Sequence, residues 1–427
     1  MDIKYIHSCF LKCKSVSIDT RKIESNSLFI AIKGENFDAN TFAKTALGKG
    51  ASFVIIDNKD YYIDKRTIVV ENSLKALQEL ASYHRQYLKL PIIALTGSNG
   101  KTTTKELIQV VLSKKYNVKA TQGNYNNHIG VPLTILSFSN ETEIGIVEMG
   151  ANHQKEIEFL CEIAQPNYGY ITNFGKAHLD GFGGFQGVIK GKSEMYQYLI
   201  ETKKEVFVNL DDAIQEEKTR NLTRYTFSHN KHPATVNIDS IEANPFVAIS
   251  ALGTEINSKL IGLYNANNIN AALTIGFHFG VAIDDIKSAI ENYIPDNNRS
   301  QMIVKNSNEI ILDAYNANPS SMSVALENFI QLDKPNKLII IGDMFELGTE
   351  SFNEHHYIVE MLKNKTSIQS HFIGKDFYAN TIELPNFNFY NTFEDFVKYL
   401  SSNKFVNKTI LIKGSRGMAL ERTLEFI

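Results

Sequence analysis

Cysteine is scarce in this 427-residue chain: Cys9, Cys13 and Cys161 are too few and too unevenly placed for a disulfide framework, and Cys9-x3-Cys13 has no second pair to complete a zinc site. A reducing compartment suits such a chain. Long apolar runs are missing too, since no segment approaches the ~18 uninterrupted apolar residues of a membrane span. The segment Met1 to His7 has neither the basic start nor the apolar stretch of a signal peptide. A soluble, cytoplasmic protein without stable membrane insertion is therefore expected. Nor is there a surplus of charge of one sign: the formal charge is −3, the pI about 6.4, and acidic and basic residues are interspersed. Without a broad basic face to neutralise phosphates, nucleic acid is not expected as a partner. Tandem repeats and long low-complexity tracts are absent as well.

What is present is the composition of an ordinary globular protein, 43% hydrophobic and 21% charged. The length exceeds what one core serves, so about three domains are expected. From Ser27 to Leu88, short β-branched runs such as Phe53 to Ile56 alternate with a helical stretch in which Leu74, Leu77, Leu80 and Ala81 share a face. Apolar strands then recur at Ile92 to Leu95, Ile144 to Met149, Tyr168 to Thr172 and Val206 to Leu210, and a helix is expected over Asn267 to Phe279. After the turn signal Pro295-Asp296-Asn297-Asn298, strands at Ile310 to Leu312, Leu338 to Ile341 and Ile410 to Ile412 alternate with helices. The reading is three α/β domains: a small substrate domain over 1–89, a central ATPase-like domain with a mostly parallel sheet over 90–296, and a Rossmann-like domain over 297–427.

The first chemical signal follows the strand Ile92 to Leu95: Thr96-Gly97-Ser98-Asn99-Gly100-Lys101-Thr102-Thr103-Thr104 leads straight into a helix. A triphosphate needs converging N–H donors and a fixed positive charge, which a glycine-bearing loop at a helix N-terminus provides together with a lysine. Gly97 and Gly100 let backbone approach the phosphates, Lys101 can reach the β/γ oxygens, and the Thr102 hydroxyl can ligate Mg2+. The loop is a shortened one, with Leu95 where the common phosphate loop has its first glycine.

That loop resembles the ATP loop of the Mur ligases, which activate a carboxylate as an acyl phosphate and pass it to an amine. Other stretches are similar to that family in the same order along nearly the whole chain. Asp19-Thr20-Arg21, with Leu28 to Ala31 and Gly34-Glu35, resembles the domain that holds the UDP-sugar end of the substrate. Gly123 to Pro132, containing Asn126 and Asn127, resembles the central loop near the acceptor. Tyr315-Asn316-Ala317-Asn318-Pro319-Ser320-Ser321-Met322, Gly342 to Gly348 and Lys413 to Gly417 look like the branch that adds D-alanyl-D-alanine. The resemblance thus implies ATP and Mg2+ as cofactors, and UDP-N-acetylmuramoyl-tripeptide and D-alanyl-D-alanine as substrates of an enzyme of peptidoglycan synthesis; separately, a monomer is expected.

It also implies roles for single residues. Glu148 ends an apolar strand, where a hard carboxylate suits Mg2+, and its Glu-Met-Gly-Ala setting resembles the family's metal-binding glutamate. His178, in Asn173-Phe174-Gly175-Lys176-Ala177-His178-Leu179-Asp180, resembles a second metal ligand. Lys192, read as opening a helix, resembles the lysine that carries a carbamate formed from CO2, an anion able to hold Mg2+. Lys101, His178 and Lys192 are the expected catalytic residues; Thr102, Glu148, His178 and Lys192 the expected metal set. Asn268, Arg299 and Asp313 fall where the family contacts ATP, although Tyr264 replaces a usual histidine and Leu312 a commonly acidic residue. The adjacent His355-His356 is read as structural, because neighbouring helical positions do not share a face. A ligase for another amino acid, a folate–glutamate ligase and an ATP-hydrolysing switch are the alternatives.

Overall fold

The computed structural model describes residues 2–230, 233–295 and 298–427. Three main sheets follow one another along the chain, with a small two-stranded hairpin at Lys33–Gly34 and Phe37–Asp38 beside the first. That first sheet is fully parallel, in the spatial order Ser15–Ser17, Ser27–Ile30, Phe53–Ile56, Thr67–Val69. The helix Ser73–Leu88, capped by the Asn72 side chain on Lys75 N, turns Leu77, Leu80 and Ala81 inward.

The central sheet has nine strands, with Ile92–Thr96 between Tyr168–Ile171 and Ile144–Glu148. Its central strands Ile92–Thr96 and Ile144–Glu148 are buried on both faces, as parallel strands covered by helices must be. Ile92 and Ala94 join the core that includes Val131, Leu160 and Leu199, whereas Ile93 and Leu95 face Leu107, Ile108, Ile269 and Leu273. The mostly parallel arrangement expected from the apolar runs is present. At one edge it continues into antiparallel pairing of Val236–Ala243, Phe246–Ala251 and Thr254–Ile261. The alternation of buried and exposed residues along Thr254–Ile261 is what a one-sided antiparallel strand shows.

The third sheet runs Gln301–Lys305, Asn308–Asp313, Thr409–Lys413, Lys337–Gly342, Gln369–Ile373, Phe387–Tyr390, parallel except for its first pair. Of the turn expected to open this unit, Asp296 and Asn297 lie outside the described residues. Register brings the strand ends together. Leu95 pairs with Glu148, Ile171 with Thr96, and Asp313 with Lys413, so the groups that follow these strands gather at carboxyl edges, where open α/β sheets bind ligands.

Candidate active site

The phosphate loop is built from close approach. Gly97 and Gly100 have φ of +143° and +79°, which favour glycine. A Cβ at Gly97 would collide with Thr172 Oγ1, and one at Gly100 would come within 2.6 Å of Asn268 Oδ1. The segment after the neighbouring strand holds the loop: the Ser98 hydroxyl donates to Gly175 O at 2.8 Å, Asn99 N donates to Asn173 Oδ1 at 3.1 Å, and Thr172 Oγ1 donates to Asn99 O at 2.5 Å. Gly100 then starts the helix Lys101–Leu112 with no side chain capping it. The first N–H groups of that helix are left for an anion, with the helix dipole favouring negative charge.

Around this terminus the protein gathers cations and oxygen donors. Lys101 Nζ donates to Gly97 O at 2.7 Å and Ser98 O at 3.3 Å, and burial pushes its pKa below the ordinary lysine range despite the Glu148 carboxylate, which raises it. Glu148 is buried, and each of its carboxylate oxygens accepts one hydrogen bond. Thr102 Oγ1 donates to its Oε2 at 3.0 Å and Asn126 Nδ2 to its Oε1 at 2.8 Å. Thr104 Oγ1 donates to Asn268 Oδ1 at 3.0 Å, and Asn268 Nδ2 donates to Asn265 Oδ1 at 2.8 Å.

From the third sheet, Arg299 stacks on Tyr315 at 3.6 Å from the ring centroid, and its Nε is buried without a hydrogen-bond partner. Asp313 accepts from Ser300 N at 3.1 Å and pairs with the buried Lys413 at 2.5 Å. Asn318 caps the helix Pro319–Gln331 with its side-chain oxygen and donates through Nδ2 to Asn99 Oδ1 at 2.7 Å, tying the third sheet's unit to the phosphate loop. Lys413 also donates to Asn316 O at 3.4 Å.

One cavity of about 1170 Å³ is lined by Ser98, Asn99, Gly100, Lys101, Thr102 and Thr103, by Asn126, Asn127, Glu148 and His178, and by Asn268, Arg299, Asp313, Asn316 and Asn318. Most of the residues singled out in the sequence therefore meet on its walls. That volume exceeds the roughly 300 to 1,000 Å³ usual for a single small ligand, which leaves room for more than one substrate.

Known proteins match nearly the whole chain. The pattern of the Mur ligase family catalytic domain matches residues 12–85, that of the Mur ligase middle domain 95–276, and that of the Mur ligase glutamate ligase domain 298–416. The UDP-N-acetylmuramoyl-tripeptide–D-alanyl-D-alanine ligase of Bacillus subtilis (strain 168) is 32% identical over 421 residues, spanning 96% of this chain and 92% of its own. Among solved structures, MurF from Acinetobacter baumannii superposes with a TM-score of 0.86 at 28% identity, covering 99% of this chain and 97% of that one. MurF ligase from Thermotoga maritima in complex with ADP does so at 0.83 and 26%, covering 98% and 97%. The chain belongs to the Mur ligase family.

Within this Mur ligase, two expected groups stand apart from the cavity wall. Asp19, Thr20 and Arg21 form a half-exposed turn, where Asp19 pairs with Arg21 at 2.8 Å and the guanidinium holds its carboxyl down at about 2. Lys192 does not open a helix. The Gly183-Gly184 pair sets the start earlier, the helix runs Phe185–Glu201, and Lys192 lies in its interior, where Gly191 leaves room for the Phe182 ring. The side chain is 1% exposed, 5.2 Å from the Phe182 ring centroid, and Nζ donates to Ala151 O at 3.3 Å, just behind a cavity-lining residue. Burial, reinforced by the Lys101 charge, holds its pKa well below the ordinary lysine range. His178 does line the cavity; burial lowers its pKa while the Glu346 carboxylate against Nδ1 opposes that shift.

Asn209 and Asp211, which sequence reasoning passed over, also line the cavity, as do His128, Tyr315, Ser320 and Lys413, which it placed in motif stretches without giving them a role. Asn209 ends the strand Glu205–Asn209 and Lys413 the strand Thr409–Lys413, so position at a strand's carboxyl end was a usable signal for both. His355 behaves as a structural residue: Nδ1 donates to Ser351 O at 2.7 Å and Nε2 accepts from Met344 N at 3.0 Å. With both nitrogens occupied, its cluster with Asp343 and Asp376 braces a loop and has no imidazole lone pair left for a metal.

Proposed function

We propose that this Mur ligase joins D-alanyl-D-alanine to UDP-N-acetylmuramoyl-tripeptide with conversion of ATP to ADP and phosphate, completing a peptidoglycan precursor. The observation that carries the reading is one shared cavity: the phosphate-loop helix terminus and Asn316, Asn318 and Ser320 of the third sheet's unit line it together. Donor and acceptor can meet there. The terminal tripeptide carboxylate attacks the γ-phosphorus of ATP, and ADP leaves. The dipeptide amine then attacks the acyl carbon of the acyl phosphate, and inorganic phosphate leaves with the amine proton lost to solvent or a base.

In this reading Lys101 and the free N–H groups of its helix hold the phosphoryl oxygens as charge shifts among them, and positioning plus electrostatics supply most of the acceleration. Arg299, stacked on Tyr315, and Asn268 hold the nucleotide, while Asn126, Asn127, Asn316 and Asn318 face the acceptor. Asp19, Thr20 and Arg21 would serve the distant UDP end. Contacts between the third sheet's unit and the phosphate loop exclude water from the acyl phosphate.

The Thr102 hydroxyl and Glu148 carboxylate are hard oxygen donors 3.0 Å apart on the cavity wall, a set that fits Mg2+. Bound there, Mg2+ would supply positive charge to the transferring phosphoryl group. Lys192 fits the site as a carbamate: its lowered pKa keeps the amine available for CO2, and the product is an anion where an ammonium would repel Lys101. His178, on the cavity wall, offers an imidazole nitrogen. The same reading divides the chain at about residues 89 and 296 and has it work as a monomer in the cytoplasm; no helix among the described residues is long and apolar enough to cross a membrane.

The test is one incubation with ATP, Mg2+, UDP-N-acetylmuramoyl-tripeptide and D-alanyl-D-alanine, read by mass spectrometry. The expected product is the UDP-linked pentapeptide with equimolar ADP. Phosphate release without a new amide, or ligation only of a single amino acid, would overturn the assignment.

A further inference from the structure

Glu346 belongs to the third sheet's unit, yet its carboxylate lies against Nδ1 of His178, which follows a strand of the central sheet. Both residues are held in the left-handed region, Glu346 at φ +63° and His178 at φ +53°, conformations that cost a non-glycine residue about 1 kcal/mol or more. Two such residues facing each other across a junction need surroundings that impose them.

Those surroundings are visible on both sides. The loop after Gly342 is pinned at consecutive residues: Asp343 accepts from Asp376 N and Phe377 N at 3.1 and 3.0 Å, Met344 N donates to His355 Nε2 at 3.0 Å, and Phe345 N donates to Ser415 Oγ at 2.9 Å. The buried His355 cluster thus has a consequence one turn further on, since it delivers Glu346 in a fixed pose. On the receiving side, Asp180 N donates to Glu346 O at 3.2 Å, and a Cβ at Gly348 would come within 2.6 Å of Asp180 Oδ1, so the two loops are in close contact. Lys176, two residues before His178, donates to Glu354 at 2.5 Å and through its N–H to Ser320 Oγ at 2.9 Å.

We infer that Glu346 is a positioning residue for His178: its carboxylate holds the proton on Nδ1, so that Nε2 presents its lone pair to the cavity only while the third sheet's unit is seated on the central one. A carboxylate beside one imidazole nitrogen fixes the tautomer and ring orientation and makes the other nitrogen a better acceptor or ligand. His178 lines the cavity, and its buried Nδ1 makes no hydrogen bond to any other described residue, so the Glu346 carboxylate is what it has against it. Domain seating and readiness of His178 are thereby one event. The inference rests on the ligase reading for its activity arm but not for its spectroscopic one.

The Glu346 side chain is 54% exposed, so its replacement leaves the fold intact. The full-length protein labelled with 15N-histidine reports the tautomer directly by NMR, with or without substrates. Wild type is expected to show His178 with its proton on Nδ1. Glu346→Ala is expected to lose that preference and to reduce kcat by roughly 10- to 100-fold, the usual cost of removing such a partner, with KM for ATP little changed. Glu346→Gln, which keeps an acceptor oxygen, is expected to retain the tautomer and most of the turnover. An unchanged tautomer or an unchanged kcat in Glu346→Ala overturns the inference, as does a glutamine variant as impaired as alanine. A wild-type enzyme that makes no pentapeptide overturns the ligase reading alone, because the tautomer is read independently.

Discussion

Replacing Lys192 with methionine is expected to abolish ligation while making the folded protein more stable at neutral pH. The side chain is 1% exposed, its Nζ makes a 3.3 Å hydrogen bond to Ala151 O, and the Phe182 ring lies 5.2 Å away. Methionine keeps the unbranched stem and removes the charge. Exchanging buried charge for apolar volume is worth about 1 to 4 kcal/mol, and losing one hydrogen bond costs about 1 kcal/mol, which leaves a net gain of about 0 to 3 kcal/mol. The gain should depend on pH with a definite sign. Burial and Lys101 lower the folded-state pKa of Lys192, so the unfolded chain binds its proton more tightly. The wild type carries the full cost below the folded pKa and loses it as pH rises towards the unfolded value of about 10.4. Thermal unfolding of both proteins in CO2-free, metal-free buffer should therefore show the methionine variant ahead near neutrality and the gap closing as the pH approaches that value. In 13C-bicarbonate, only the wild type should gain a carbamate carbon signal, and Lys192→Arg should be as inactive as methionine despite its charge. An active arginine variant, or a methionine variant less stable at neutral pH, refutes the reasoning.

Lys101→Ala should retain its fold and lose about 10²- to 10³-fold in kcat, as removal of a group aimed at developing charge does; phosphate release within a few-fold of wild type would remove the phosphate-loop role. Glu148→Ala should shift the Mg2+ titration of ligation to much higher concentration, because it removes the carboxylate that Thr102 and Asn126 hold in place; an unmoved titration would leave Glu148 as a strand-end carboxylate only. His7 and His84 form a buried pair, with His7 Nε2 and His84 Nδ1 3.0 Å apart, and burial lowers the His7 pKa to about 4. A lowered histidine pKa means stability that is present above the unfolded value of about 6.5 and lost as pH falls through about 4. Limited proteolysis should accordingly release the N-terminal helix Ile3–Phe10 in that acid window, and a His7→Phe variant that loosens over the same window would assign the transition elsewhere.

Much of the site was legible because its parts are local. The loop from Gly97 to Thr102 announces itself by glycine spacing, lysine and hydroxyl within a few residues, and apolar runs on either side set it between a strand and a helix. Glu148 was legible for the same reason, as a lone carboxylate ending an apolar strand. The antiparallel edge over 236–261 was not, since its half-exposed strands lack long apolar runs. Lys192 was misplaced because a glycine pair upstream, Gly183-Gly184, starts the helix before the lysine is reached, and nothing local says that a mid-helix lysine is buried.

By itself, then, the sequence determined most of the parallel strands, most of the helices and the phosphate loop, because backbone sterics, side-chain periodicity and glycine φ freedom act over a few residues. Only the tertiary structure decided that Asn318 reaches Asn99 across 219 positions, that Asp313 meets Lys413 across 100, and that Glu346 stands against His178. Such meetings depend on strand order, register and domain seating, and the burial that lowers the Lys192 pKa is a property of everything packed around it.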